Sequence, residues 1–184
     1  MTGVLRAEIL KTAKRWMPYV LFLVMAGGAA IHIWLAGYLS YRNNQDTEFA
    51  SAAFRSFAFP WSLAALLDSG QFWGAAIFTG ILTSSSVATE YNWGTVRQAL
   101  VRGQSRSEYL AVKLAGTAII CTVGLLLAFS VGIVFSLLAT DAAGAPITFD
   151  VPGGPSVPEI GLMILRAALG ILPYGFLAFM LTIV

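Results

Sequence analysis

The chain has 184 residues, of which 58% are apolar and 11% charged, with a mean hydropathy of +0.77. A water-soluble domain carries about 25% charged residues, so this composition excludes a soluble globular protein and points to a surface solvated by lipid. Eleven basic residues against nine acidic ones exclude a bulk polyelectrolyte role and nucleic acid as a partner, while a lone Cys121 and a lone His32 exclude an intrachain disulfide and suit no zinc or haem site.

From the amino terminus, Leu5, Ile9, Leu10, Ala13, Trp16 and Met17 share one side of a helical wheel, and Glu8, Lys11, Lys14 and Arg15 the other, with Arg6 at the margin. Residues 4–17 therefore read as a short amphipathic elbow helix, its cations paired with lipid phosphates and its Trp at headgroup level. A generic positively charged anchor fits the same residues. Pro18 lacks a backbone donor and permits a bend before the first span. The apolar run 18–39 is about twice the length of a signal-peptide core and is followed by Ser40-Tyr41-Arg42, which offers no small-x-small cleavage site. It reads as a retained span.

A helix crosses the hydrocarbon core with about twenty apolar residues. Three further segments reach that length, 69–88, 114–139 and 160–184, and an apolar stretch with Pro60 and Trp61, residues 57–67, precedes the first of them. Strands of a barrel would alternate over about ten residues, and no such alternation is visible. The expected fold class is all-α, a polytopic membrane bundle forming one domain over 1–184. Asp68 and Gln71 stand near the interface at the start of the second span. Gly70 with Gly74, and the small hydroxylated run Thr83–Ser86, suit close helix packing.

Between the second and third spans the loop 89–113 carries clear helix punctuation. Thr95 can cap a short helix from Val96 to Arg102, which Gly103 stops. Ser105-Arg106-Ser107-Glu108 then has the capping-box pattern and opens a helix running through Tyr109 and Lys113 into the third span. Val96, Ala99 and Leu100 form one face of the short helix and Arg97 and Gln98 another, a half-apolar surface suited to docking. A membrane-surface helix with solvated arginines is the alternative. The connector 140–158, with Pro146, Pro152, Pro155 and Pro158 among glycines, resists regular structure. In the fourth span Arg166 either faces a partner subunit or a translocation path, or snorkels to the headgroups. Pro173 is expected to kink this span. The sequence stops at Val184 inside an apolar run, as the front part of a longer protein would.

Lysine and arginine positions orient the spans. Arg6, Lys11, Lys14 and Arg15 precede the first span, and Arg97, Arg102, Arg106 and Lys113 lie between the second and third. The 40–68 connection has Arg42 and Arg55, and the 140–158 connection has no basic residue. The amino terminus and the 89–113 loop are thus expected in the cytoplasm.

That loop resembles the hallmark of ABC-2 type transporter permeases, the membrane subunits of one class of ATP-binding-cassette exporters. The resembling positions are Glu90 at the end of the second span, then Gly94, Thr95, Arg97 and Leu100, then Ser105 with Arg106, and Lys113 at the entrance to the third span. The likeness is close over the loop and loose elsewhere, through the elbow helix and the order of spans. It implies that the 95–102 helix is a coupling helix seated in a groove of a separate ATPase subunit, with Arg97 and Arg102 meeting acidic or carbonyl partners. Arginine suits this role because its planar fork makes several directed hydrogen bonds. Glu90 could brace the loop by pairing with Arg97 or Arg106. The resemblance further implies a second permease copy or relative as partner, and location in the cell membrane. The family usually has six spans, and four are visible here.

The chain holds no Gly-x-x-x-x-Gly-Lys-Ser/Thr loop, so ATP and Mg would be bound by the partner and no cofactor by this chain. An intramembrane enzyme fits poorly with one His, one Arg and no paired carboxylates in the spans. A membrane scaffold or immunity-type protein that binds a partner through the 95–102 helix and transports nothing is the other reading. The cargo is not legible.

Overall fold

The computed structural model describes residues 2–45, 48–68, 70–92 and 105–183, and among these the regular structure is entirely helical. The expected 95–102 helix, with Gly94, Thr95, Arg97, Leu100 and Arg102, lies outside the described residues, as do the side chains of Asp68, Gln71 and Arg106.

Helix α1 (Thr2–Ala13) comes first. The bend after it falls at Lys14–Arg15, where Arg15 takes an extended ψ of 147°, and not at Pro18 as expected. Pro18 sits in the first turn of α2 (Trp16–Ile31), where an intrahelical acceptor is lacking and the absent N–H costs nothing. Helix α2 continues through a π-helical segment, His32–Leu39, into α3 (Ser40–Asn43), giving one 28-residue rod. The π segment sets Gly37 against α4 (Ala50–Phe57); a Cβ on Gly37 would lie 2.6 Å from the Phe57 Cβ. Around this approach Tyr38, Tyr41, Phe54, Phe57 and Trp61 form a chain of ring contacts.

The apolar stretch ahead of the expected second span forms the end of α4 and all of α5 (Trp61–Asp68), divided at Ala58–Pro60, where the Phe59–Pro60 peptide is cis. Phe57 and Ala58 are fully buried, so the break leaves backbone groups where water cannot reach them. Helix α7 (Arg106–Ala142) satisfies them. Ser136 Oγ donates to the Phe57 carbonyl at 3.0 Å, and Thr140 Oγ1 accepts from the Phe59 N–H at 2.9 Å. With its proton so used, Ser136 accepts from Ser62 Oγ at 2.6 Å.

Helix α6 (Gly70–Asn92) covers the expected second span and packs most extensively on α8 (Val157–Ile183). Small residues make that seam: a Cβ on Gly175 would lie 3.2 Å from Thr79 Cγ2, and one on Gly80 would lie 3.7 Å from the Ala178 Cβ. Gly74, expected to serve close packing, instead opens onto a cavity that it shares with Gly28 and His32. Thr83 and Ser86 are buried, as close packing requires. Helix α8 runs on through Pro173. Residues 143–156 are irregular, with Gly144 and Gly153 at φ of +70° and +74°, conformations that favour glycine.

Among the described residues, three helices are long and apolar enough to cross a membrane: Trp16–Asn43, Glu108–Ala142 and Val157–Thr182. They meet along a core that includes Leu21, Met25, Leu82, Leu125, Phe129 and Ile171. Many large apolar side chains on their outer faces, such as Leu23, Leu138 and Leu177, are exposed.

The Gly37 approach is testable by overpacking. Gly37→Val should lower stability by about 1–3 kcal/mol, read as a lower unfolding temperature in detergent; an unchanged transition would contradict the packing of the π segment on α4.

Candidate functional site

The last turn of α6 and the first turns of α7 bring charge into the bundle at one end. Glu90 stands two residues before the end of α6, and Lys113 lies two turns into α7. Both are almost fully buried, at 2% and 1% exposure. A lone charge in such a place is strongly disfavoured, and persists only when paired and hydrogen-bonded. Lys113 Nζ lies 2.9 Å from Glu90 Oε1 and 2.5 Å from Glu8 Oε1 on α1. Glu90 also receives Lys11 Nζ on the same oxygen and the Tyr109 hydroxyl on the other. Two carboxylates and two ammonium groups thus neutralise one another, drawn from three helices.

Helix α1 is turned to make this possible. Its bundle-facing side is mixed: Thr12 is 3% exposed, Glu8 and Leu5 are partly buried, and a Cβ on Gly116 of α7 would lie 3.2 Å from Glu8 Cγ and 4.0 Å from Leu5 Cδ1. Leu10 and, past the bend, Trp16 face outward at 51% and 76% exposure. Ile9 and Ala13 are partly buried while Arg6, Lys11 and Lys14 are exposed, so α1 keeps its cations at the surface and brings Glu8 and Thr12 in toward α7. Burial holds Lys11 below the ordinary lysine pKa; Glu8 pulls it back up, and Lys113 and Arg15 push it further down.

Ser105 caps the helix as expected, with the Glu108 N–H donating to Ser105 Oγ at 3.2 Å. Helix α7 then runs unbroken through Tyr109 and Lys113. The structure therefore joins two of the expected site residues, Glu90 and Lys113, in direct contact, and places Ser105 and the backbone of Arg106 at the start of the same helix. The expected pairing of Glu90 with Arg97 or Arg106 lies outside the described side chains; among the described ones, Lys11, Lys113 and Tyr109 meet its carboxylate. Lys11, read from sequence as a lipid-phosphate contact, is directed at a carboxylate of the chain itself. Arg166 lies apart from the cluster, exposed on the outer face of α8 among Leu162, Leu165 and Leu169.

Sequence reasoning missed Glu8 and Tyr109 as members of the site. The available signal was the spacing of Glu8, Lys11 and Thr12, which puts three polar side chains on one helical stripe. The cluster can bind three helices rigidly and relay movement between them. Among the described residues no three His, Cys, Asp or Glu side chains converge as a metal site would require.

An all-helical bundle with three helices of spanning length, tied at one end by a buried ionic cluster, is the class of protein that fold and site define. Residues 29–184 match the family described as a protein of unknown function, DUF2705, and the chain belongs to it. Neither a curated protein nor a solved structure matches.

The charge balance makes a specific prediction. Lys113→Met leaves Glu8 and Glu90 with too little positive charge and should cost about 3–5 kcal/mol. Adding Glu90→Gln leaves Glu8 facing Lys11 and should restore much of the loss. Equal thermal stability of Lys113→Met and the native chain would refute the balance.

Proposed function

We propose that this chain is the membrane permease subunit of an ATP-binding-cassette exporter of the ABC-2 class. It crosses the cell membrane four times, with α6 as the second span and the amino terminus in the cytoplasm. A separate ATPase subunit binds ATP and Mg, and a second permease copy or relative completes the path. The observation that best supports this reading is the placement of the ionic cluster. Glu90 and Tyr109 stand at the two roots of the 93–104 segment, and their contact closes its base, while Lys11 and Glu8 tie that base to α1.

In this reading the 95–102 helix docks on the ATPase, and Arg97 and Arg102 supply directed hydrogen bonds to it. Movement of the docked helix then passes to α6 and α7 together, because their roots are joined, and to α1, because Glu8 and Lys11 hold it to them. Tilting α6 and α7 together would alternate access to a path at the interface with the second subunit. Arg166, on the outer face of α8, is positioned to meet that subunit.

Two measurements test the proposal. Co-expressed with its ATPase, the native chain should co-purify in detergent and Arg97→Glu should not, with the unfolding temperature of the membrane part unchanged. Retained association and normal coupling in Arg97→Glu would count against docking. In a Cys121→Ala background, a membrane-impermeant thiol reagent applied to intact cells should label Ile147→Cys and spare Gln98→Cys; the reverse pattern would overturn the orientation.

A further inference from the structure

A cavity of about 560 Å³ lies between α6, α7 and α8, within the roughly 300–1,000 Å³ range of small-molecule sites. Thr79 and Thr83 of α6, Leu110, Leu114 and Thr117 of α7, and Phe176 of α8 define it. The three threonines look like polar handles, but each has spent its proton on the helix. Thr79 donates to the Ala75 carbonyl at 2.8 Å, Thr83 to the Thr79 carbonyl at 2.7 Å, and Thr117 to the Lys113 carbonyl at 3.0 Å. Their hydroxyls offer a ligand no hydrogen, so a phosphate, carboxylate or carbonyl placed among them would be desolvated without a donor, which is strongly unfavourable. Hydrocarbon carries no such penalty.

The shape agrees with the chemistry. On α7 the lining begins at Leu110, next to Tyr109 of the ionic cluster, and runs to Ala118, about 12 Å along the helix axis. The close approach of Gly175 to Thr79 shuts the α6–α8 side. Phe176 is half exposed, and Leu177, Met180 and Leu181 continue from it along the outer surface of α8. The cavity is thus continuous with an apolar outer belt and starts at the end of the bundle, where headgroups would lie.

We propose that this cavity takes one acyl chain of a membrane phospholipid, entering sideways between α7 and α8 with its headgroup left outside the lining. The proposal rests on the bundle being membrane-embedded, and goes beyond transport in assigning a lipid site.

The test uses the full chain in phosphatidylcholine nanodiscs containing a trace of phosphatidylcholine with a diazirine on one acyl chain, with labelled residues mapped by mass spectrometry. Labelling of 110–118 and 172–176 should exceed that of the outward-facing Leu126 and Val134 by about tenfold, a preference of about 1.4 kcal/mol. Ala118→Phe, or Ala115→Leu should the first variant fail to fold, should remove that excess and leave Leu126 and Val134 unchanged. Belt labelling without the excess, or an excess that the filling variants leave intact, would overturn the proposal alone. Absence of labelling from both regions would overturn the membrane reading and the proposal with it. Labelling by diazirine-bearing palmitic acid but not by the phospholipid would overturn the choice of phospholipid.

Discussion

Glu90 and Lys113 are buried charges, and a buried charge cannot be left without its partner at small cost. Everything at that end of the bundle answers to this constraint. Helix α1 must turn Glu8 and Thr12 toward α7 and bring Lys11 to Glu90 from its exposed flank, and the chain bends at Lys14–Arg15 directly after it. Tyr109 must then reach Glu90 across the base of the 93–104 segment. An ionic cluster of this kind contributes little net stability over a well-packed apolar one. Its effect is to fix which helices meet and in what register, a requirement for any element that transmits movement.

The opposite end of the bundle meets a related constraint with neutral groups. The break between α4 and α5 puts bare peptide groups in an apolar interior, and Ser62, Ser136 and Thr140 supply what water would. Along α6 and α7 the remaining threonines bond to their own helix. That makes them apolar in effect and leaves room for hydrocarbon between α6, α7 and α8. Threonines along α6 and α7 are therefore not by themselves markers of a polar site; the fate of each proton decides.

The all-helical architecture was legible because apolar runs of spanning length have few other solutions, and the cap at Ser105 was legible because it is written in four consecutive residues. The α6–α8 seam was not, since Gly80 and Gly175 lie far apart in sequence and only their pairing marks them; Gly70–Gly74 looked the same by spacing. The π segment at His32–Leu39 carried no local signature, and the approach of Gly37 to Phe57 within it is a tertiary contact that sequence periodicity does not report. The ionic cluster was half legible. Glu90 and Lys113 stood out as charges at span ends, whereas Lys11 was assigned to lipid because helical periodicity tells which residues share a face and not which way the face turns.

Hydrogen exchange in α1 most directly tests whether the cluster holds the bundle's end together. The amides of residues 2–13 should be protected in the native chain in detergent, and in Glu8→Gln/Lys11→Met, which removes both charges that α1 contributes and leaves Glu90 paired with Lys113, they should exchange as a detached helix would, while α8 keeps its protection. Unchanged protection of residues 2–13 in Glu8→Gln/Lys11→Met would contradict the account, because α1 would then be held by something other than the charges it shares with α6 and α7.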